Sequence, residues 1–366
     1  MKIAIIGAGL GGLACALECE RLGVIPDVFE RDESVGWGFT CITHWLHPIH
    51  RPKGDLYDYL RKFNLDLKPI NKCNELVMRS PNKETIIKGN IGYIMRRGKH
   101  IDSVESQLYR SLERTSVRFN RPADYKELSP KYDYVVVATG NRTAAKELGV
   151  WKDIELVHVR GGVAFGAFKP TSTTIYFNRK YAGKGYARLG PINSTQAIVG
   201  LYQIGDSEYE VDSHYKNFLE FEGLENLEFN YEFSVPMWTG GRVDKFHVGN
   251  VLLVGQSAGL MERFLGTGAI EALMSGIFAA RSMLKGEDYD TLVRPLQDHI
   301  ESVSSFRKPF ESLDNDGLDR PISFIDTPGV KQLIYNTGLN IVDILGPMQR
   351  QINKIVNMIG RDEVES

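Results

Sequence analysis

Three glycines and one acid in the first thirty residues have the spacing of a dinucleotide-binding site. Gly7, Gly9 and Gly12 follow the apolar run "KIAII" as G-x-G-x-x-G, and Glu30 ends a second apolar run, "DVFE". In this pattern the first glycine permits a tight turn, the second lets a pyrophosphate approach the backbone, and the third lets a helix pack close to the strand. The helix N-terminus offers unpaired N–H groups to the phosphates, and Glu30 can accept hydrogen bonds from ribose hydroxyls.

A second glycine-rich approach to a helix lies late in the chain. The run "VLLVG" predicts a buried strand that ends at Gly255. The stretch "LGTG" then opens a helix predicted over residues 268–284, and it contributes Gly266, Thr267 and Gly268. NAD-dependent dehydrogenases generally need only one nucleotide fold, whereas FAD is long enough to need a second holder for its ribityl chain and its ring. The two motifs together therefore predict FAD as the cofactor.

These motifs resemble the FAD-binding fold of p-hydroxybenzoate hydroxylase. The first motif ends in "ER", Glu30 and Arg31, and "GNVLLVG…AG…GTG" precedes a helix rich in small residues. Within this fold the chain is most similar to the geranylgeranyl reductase family, which typically has a cysteine five residues after a glycine, here Gly36 and Cys41. The resemblance implies an FAD-dependent oxidoreductase in which Arg31 belongs to the cofactor site.

The resemblance also implies roles for residues outside the two motifs. Arg97, in "YIMRR", precedes a predicted helix and corresponds to an arginine that helps to bind the cofactor. Cys41 is expected near the flavin ring as a proton donor or a shaping group, since a thiol with a pKa of about 8.5 is mostly protonated at neutral pH. His44 is the next candidate for a catalytic acid. The alternatives are a small buried residue at Cys41 and a structural histidine at His44.

The chain departs from the family pattern at several positions. Gln256 stands where the family has an aspartate that accepts a hydrogen bond from a ribityl hydroxyl, and an amide oxygen can do the same without a charge. Arg263 replaces a proline and is expected either to face the isoalloxazine or to pair with Glu262. The stretch "GYARLGP" (185–191) lacks both aromatic residues of the family's "GY-x-W-x-FP".

The remaining pattern predicts an α/β protein in which a Rossmann-type FAD-binding domain is interrupted by an inserted antiparallel β-sheet domain. The inserted sheet, which would bind the substrate, is predicted from strand-like runs at 154–159, 174–178, 196–203 and 228–233. We expect the FAD-binding domain to span 1–150 and 235–285 with a helical insert at about 50–115, the substrate domain 151–234, and a C-terminal helical region 286–366.

An apolar stripe near the C-terminus predicts an amphipathic helix. Its members recur at helical spacing and are Met348, Ile352, Ile355, Val356 and Ile359. Such a helix would pack over the substrate cavity. A peripheral contact with a membrane surface is the alternative, although only Arg350 and Lys354 supply positive charge there.

Composition excludes several classes of protein. The 366 residues carry a net charge of −2, which gives no basic excess for nucleic acid, and no run of about 20 apolar residues would span a membrane. The four cysteines form no CxxC pair, which favours a reducing cytoplasm. His44, His47 and His50 are spaced by three, but Pro48 breaks the helical face, and we predict no metal site.

The function that these features predict is an FAD-dependent reductase or dehydrogenase acting on carbon–carbon double bonds of an apolar, isoprenoid-like substrate. No second dinucleotide fingerprint is present in the sequence, so electrons are expected from an external donor such as NAD(P)H, ferredoxin or reduced flavin. Two alternatives stay open. One is a single-component FAD monooxygenase, and the other is a non-redox flavoprotein that acts as a cyclase or a binding protein.

Overall fold

The structure is a computed structural model and describes residues 1–36, 41–50, 54–205, 208–327 and 329–331. Its strands are β1 (Ile3–Ile6), β2 (Asp27–Phe29), β3 (Cys41–Leu46), β4 (Asn71–Arg79), β5 (Glu84–Arg97), β6 (Val117–Arg118), β7 (Tyr134–Val137), β8 (Trp151–Phe165), β9 (Ser172–Tyr176), β10 (Tyr186–Pro191), β11 (Gln196–Ile204), β12 (Glu228–Val243), β13 (His247–Val248) and β14 (Val251–Leu253). Its helices are α1 (Leu10–Arg21), α2 (His47–His50), α3 (Leu56–Arg61), α4 (Val104–Arg110), α5 (Tyr125–Leu128), α6 (Thr143–Glu147), α7 (Arg179–Ala182), α8 (Glu208–Phe221), α9 (Ala269–Lys285), α10 (Tyr289–Ser304), α11 (Arg307–Glu311) and α12 (Asn315–Asp326). A 3₁₀ turn spans Gly255–Ala258.

In the described part of the chain, one sheet has six strands in the order β13-β14-β7-β1-β2-β6. β1 pairs in parallel with β2 and β7, and β14 pairs in parallel with β7. The early and late nucleotide motifs therefore belong to one sheet, and their glycine turns leave it at the same edge. This arrangement confirms the predicted Rossmann-type fold and shows that the sheet is completed by a strand from late in the chain.

Helices α1 and α9, which follow the two glycine turns, pack against each other through glycines. A Cβ added at Gly276 of α9 would lie 2.1 Å from the carbonyl oxygen of Gly11. A Cβ added at Gly11 would lie 2.4 Å from a methyl carbon of Val254 and 3.0 Å from the carbonyl oxygen of Ala272. Only glycine permits this approach, which holds the two helix N-termini side by side.

The second sheet has eight strands, within the same described residues, in the order β12-β8-β11-β10-β9-β4-β5-β3. The predicted strands of the substrate domain are present as β8, β9, β11 and β12. The sheet is antiparallel except between β4 and β9, which pair in parallel. It curves strongly enough that its edge strand β3 contacts β10, since a Cβ added at Gly190 would lie 2.5 Å from a side-chain carbon of Ile42.

The predicted helical insert at about 50–115 is wrong for its central part. Residues 71–79 and 84–97 form the long hairpin of β4 and β5, and only α3 and α4 flank it. In "ETIIK" burial alternates along the strand, with Thr85 and Ile87 buried and Ile86 exposed, and a buried stretch from Ile91 to Met95 follows. The substrate-side sheet therefore recruits residues from within the first nucleotide segment, and the predicted domain boundaries stay a prediction.

The C-terminal region is helical through α10, α11 and α12, as predicted. The apolar stripe from Met348 to Ile359 lies outside the described residues. Among the described helices, none has both the length and the apolar character needed to cross a bilayer.

Candidate cofactor and active site

A cavity of about 430 Å³ opens at the carboxyl edge of the six-stranded sheet, facing the eight-stranded sheet. Most residues that the sequence assigns to the site line it: Gly7, Gly9, Glu30, Arg31, Cys41, Arg97, Gly255, Gln256, Gly266, Thr267 and Gly268. Gly12 and His44 are not among the lining residues. We call the surface formed by residues 7–11, 30–32, 138–141, 254–256 and 266–269 the nucleotide wall. We call the surface formed by Cys41, Ile42, Thr43, Arg97, Glu105, Arg188 and Tyr202 the cap wall.

The early glycines of the nucleotide wall have three different roles. Gly7 has φ +99°, and an added Cβ would lie 2.5 Å from the carbonyl oxygen of Ala138, so the turn requires glycine. An added Cβ at Gly12 would lie 2.0 Å from the carbonyl oxygen of Gly7, so Gly12 permits close packing behind the cavity. Gly9 has space around it, since an added Cβ would meet only the Ala138 oxygen at 4.0 Å. This open cradle at the uncapped N-terminus of α1 fits a pyrophosphate.

Glu30 is fixed by backbone groups on both sides of the glycine turn. The N–H of Ala8 donates to Oε2 of Glu30 at 2.7 Å, and the N–H of Asp32 donates to Oε1 at 3.0 Å. Each carboxylate oxygen can accept a further hydrogen bond, so Glu30 stays able to bind ribose hydroxyls. Arg31 is largely exposed beside it and lies 3.6 Å from Asp32.

The N-terminus of α9 opens into the same cavity without a side-chain cap. Gly268 is its N-cap residue, and Gly266, in the loop before it, has φ +69°. A buried acid that the sequence analysis did not single out for this role holds the loop: Glu262 accepts from the N–H groups of Phe264 at 2.6 Å and Thr267 at 2.8 Å. The Thr267 hydroxyl donates to the same carboxylate at 2.9 Å. The signal in the sequence was an acid directly before a glycine-rich loop that begins a helix.

Arg263 does not pair with Glu262. Its guanidinium binds Glu301 of α10 through two hydrogen bonds, of 3.1 and 2.8 Å. Of the two predicted orientations, pairing with Glu262 is therefore wrong, and Arg263 is not among the cavity-lining residues either. Gln256 does line the cavity, at the 3₁₀ turn where β14 ends.

The structure brings Cys41 and Arg97 together as cross-strand partners of β3 and β5. The Nε–H of Arg97 donates to Oε1 of Glu105 at 2.6 Å, and the Glu105 side chain is only 1% exposed. Burial raises the pKa of the Cys41 thiol to about 11, and this effect outweighs the positive charge of Arg97. The thiol therefore keeps its proton at neutral pH.

The cap wall also contains Arg188 and Tyr202, for which the sequence predicted no role in the site. The Nη2 of Arg188 donates to the Tyr202 hydroxyl at 2.6 Å and to the Ile42 carbonyl at 3.2 Å. Tyr202 stacks on Tyr186 with ring centroids 4.6 Å apart, and the Tyr186 hydroxyl donates to the carbonyl of Leu265. Arg188 occupies the position of the missing family tryptophan in "GYARLGP", and this substitution was the available signal.

His44 is buried behind the cap wall rather than in the cavity. Its Nε2 lies 2.7 Å from the hydroxyl of Thr173, and burial, together with the charge of Arg188, holds its pKa well below the usual value. A histidine that is neutral at pH 7 does not supply a proton, so the geometry disfavours His44 as the catalytic acid. His47 and His50 contact other partners, Asn90 and Glu271. The three histidines do not converge on one point.

Part of the chain matches a known protein family. Residues 1–159 match the family model described as pyridine nucleotide-disulphide oxidoreductase. No curated protein sequence matches the chain. This family match covers the early glycine motif, Glu30, Cys41 and Arg97.

Solved structures share the fold over nearly the whole chain. A geranylgeranyl bacteriochlorophyll reductase-like protein from Thermoplasma acidophilum is 15% identical, with a TM-score of 0.72 over 94% of this chain and 98% of the other. A p-nitrophenol 4-monooxygenase from Pseudomonas putida is 14% identical, with a TM-score of 0.63 over 93% and 97%. A flavin-dependent brominase is 15% identical, with a TM-score of 0.62 over 98% and 100%.

The family match and the geometry agree on the cofactor. Two uncapped helix ends, an open cradle at Gly9 and a fixed acid after β2 line one cavity long enough to join both glycine turns. The chain is an FAD-dependent oxidoreductase with the p-hydroxybenzoate hydroxylase-type fold.

Proposed function

We propose that this FAD-dependent oxidoreductase reduces, or in reverse forms, carbon–carbon double bonds of an apolar substrate and draws electrons from an external donor. The observation that carries the proposal is the set of side chains at one end of the cavity, where the cap wall meets the loop before α9. We call this the cap end. Apolar and aromatic side chains line it beside a protonated thiol: Ile42, Tyr202, Leu260, Met261 and Leu265. Such a surface favours an apolar substrate by about 0.8 kcal/mol for each buried methylene.

The residues of the chain have separable roles in this reaction. The N-termini of α1 and α9 and the carboxylate of Glu30 bind the cofactor, which when bound supplies the redox chemistry. Arg97, held by Glu105, positions the cofactor from the cap wall. Cys41 supplies a proton to the substrate carbon, or shapes the space around it, because its thiol stays protonated at neutral pH.

The glycine-rich segment "RGGVAFG" (160–166) is not expected to contact the substrate. Gly161 and Gly162 of "RGGVAFG" lie within β8, and an added Cβ at either would clash with backbone oxygens of β11 or β12. Those glycines serve sheet packing. The substrate path instead runs along β3, β10 and the loop before α9.

Structural likeness supports this reading, because the fold is shared with a protein whose name indicates a geranylgeranyl reductase-like enzyme. The likeness to a p-nitrophenol 4-monooxygenase supports a second candidate, a single-component hydroxylase. The two differ in their use of oxygen. A monooxygenase consumes NAD(P)H and oxygen and hydroxylates its substrate, whereas a double-bond reductase turns over without oxygen.

The test is an anaerobic half-reaction. Purified protein loaded with FAD is reduced with dithionite, and its visible spectrum is followed after mixing with apolar alkenes or with phenols. Reoxidation of the flavin by an alkene in the absence of oxygen, with the saturated product found by mass spectrometry, supports the proposal. Product that forms only from phenols and only after oxygen is admitted would favour the monooxygenase.

A further inference from the structure

One arginine in the cap wall lacks an acidic partner. Among the residues that the structure describes, no carboxylate oxygen lies within 4.0 Å of the Arg188 guanidinium. Its Nη2 binds the Tyr202 hydroxyl and the Ile42 carbonyl, both of which are uncharged. Its Nε is shielded from solvent and has no hydrogen-bond partner. Residues 37–40, which precede the cap-wall strand β3, contain no acid in the sequence "WGFT".

This situation is unlike that of other arginines with little exposure. Arg97 pairs with Glu105, Arg263 with Glu301 and Arg307 with Glu155. Arg179 has no carboxylate partner, but its Nε, Nη1 and Nη2 all donate to backbone carbonyls. A partly buried guanidinium is costly unless a counter-charge or a full set of hydrogen bonds compensates it. Arg188 has neither among the described residues, and its one aromatic contact in that part of the chain, the Tyr202 ring with its centroid 5.1 Å from the guanidinium carbon, carries no negative charge.

The positive charge of Arg188 affects the protonation of a neighbouring side chain. The charge of Arg188 contributes to the lowered pKa of His44, which stays neutral behind it. Arg97, the other arginine of the cap wall, is neutralised by Glu105. The cap end of the cavity therefore presents one net positive charge within an apolar and aromatic surface.

We propose that Arg188 forms a carboxylate subsite, so that the apolar substrate carries one carboxylate and is held by it in the cap wall beside Cys41. This inference rests on the proposed function and names the substrate class. A single positive charge matches a carboxylate, whereas a phosphate dianion would call for a second uncompensated cation. Charge-assisted hydrogen bonds to a guanidinium are among the stronger polar contacts in proteins.

The subsite also fixes which part of the substrate reacts. Arg188 donates to the carbonyl of Ile42, the residue that follows Cys41, so the carboxylate and the thiol share one end of the cavity. The double bond that reacts lies near the carboxylate, and the apolar remainder of the substrate extends away from it. An unsaturated carboxylic acid with its double bond next to the acid group is the simplest member of this class.

The test compares an acid with its neutral analogues. The FAD-loaded protein at pH 8 is titrated with trans-2-decenoic acid, its methyl ester and the corresponding alcohol, and Kd is measured from the change in flavin absorbance. We expect the acid to bind about 10- to 100-fold more tightly than the ester. Arg188→Met should abolish this preference by weakening binding of the acid far more than binding of the ester, and Arg188→Lys should keep part of it.

Arg110→Met, an exposed arginine at the end of α4 outside the cavity lining, is the matched control and should keep the preference of the parent. Equal binding of acid and ester to the parent, or a full acid preference in Arg188→Met, overturns the subsite. If Arg188→Met fails to fold, the Kd values of acid and ester for the parent and for Arg188→Lys still test the subsite. Esters that bind and are reduced as well as acids leave the proposed function standing without the subsite. If neither acid nor ester binds, both fall.

Discussion

The nucleotide wall and the cap wall of the cavity are built in different ways. The nucleotide wall consists mainly of backbone, with glycines at the turns and uncapped helix ends at α1 and α9. The cap wall consists of side chains from distant strands, and several of these side chains are charged or aromatic. The first wall presents N–H groups that any fold with this turn has, and the second wall presents particular side chains.

We expect the nucleotide wall to determine affinity for the cofactor and the cap wall to determine which substrate binds. At Gly7 and Gly268 of the nucleotide wall an added Cβ would meet main-chain atoms that cannot move away, whereas at Gly9 it would enter the open space of the cradle. In a wall made of side chains, a single substitution can change the chemistry of the site. Arg188 is an example, since the motif of the geranylgeranyl reductase family that this stretch resembles has tryptophan at this position. Mutations in the two walls should therefore give different kinds of defect.

Gly9→Val should give the largest effect, the loss of bound FAD. The backbone at Gly9 is extended, with φ −83°, and has free space, so valine fits the protein but fills the cradle. The flavin absorbance at about 450 nm, divided by the absorbance of the protein itself, should fall to the value of the FAD-free protein. The Tm should stay near that of the parent measured without FAD.

Gly12→Val is the matched comparison, because its side chain would collide with the Gly7 carbonyl. It should lower the Tm as well as FAD content. Gly9→Val that retains FAD, or Gly12→Val that folds as the parent does, would contradict the division of roles between these two glycines.

Cys41→Ala, in the cap wall, should keep FAD and lower turnover of bound substrate by roughly 100-fold, the usual scale for a general acid. Stopped-flow reoxidation of reduced flavin by substrate measures the effect. Because the thiol pKa is about 11, the parent rate should not depend on Cys41 ionisation between pH 6 and about pH 9. Cys41→Ser separates the roles, since rescue by serine indicates shape and continued loss indicates proton transfer. If Cys41→Ala turns over substrate at the rate of the parent, Cys41 has no role in the reaction.

Gln256→Leu should weaken FAD binding more modestly, because a ribityl hydroxyl left without a partner costs about 1–3 kcal/mol. Gln256→Asp should keep or strengthen binding, as the family's residue does. Fluorescence titration of the apoprotein with FAD gives both affinities. If Gln256→Leu binds FAD as tightly as the parent does, the side chain of Gln256 does not reach the cofactor.

The smallest expected effect is a pH dependence of stability that originates behind the cap wall. Glu155 of β8 pairs with Arg307 at 2.8 Å, yet burial raises its pKa to about 7. Between the usual value of about 4.3 and pH 7, the folded protein holds a proton that the unfolded chain releases. Glu155 therefore stabilises the fold less as pH rises through this window, and its cost is complete above about pH 7.

Thermal unfolding from pH 5 to 8 measures this slope in the parent and in Glu155→Gln, which has no group to titrate at this position. The variant should show a shallower decline of Tm with rising pH. Identical slopes would show that Glu155 is ionised in the folded protein throughout this range.

The sequence predicted the secondary structure around the first glycine motif correctly because its signals are local. A strand, a glycine turn and a helix lie within the first twenty-one residues, and each glycine acts through the backbone next to it. Glu262 was nevertheless expected only as a possible partner of Arg263, because its bonds to the following loop appear only when the loop folds back on the carboxylate. The strands β4 and β5 were assigned to a helical insert, because their pairing with the substrate-side sheet is not encoded in nearby residues.

The sequence by itself determined the fold class, the FAD cofactor and the two uncapped helix ends, because these depend on short patterns of glycine and apolar residues. Only the tertiary structure decided the cap wall. Pairing of β3 with β5 places Cys41 beside Arg97, and curvature of the eight-stranded sheet brings Ile42 against Arg188. The same packing buries His44, and it places no carboxylate of the described residues beside Arg188. Residues so far apart in the chain meet through sheet register and curvature, which depend on the packing of the whole domain.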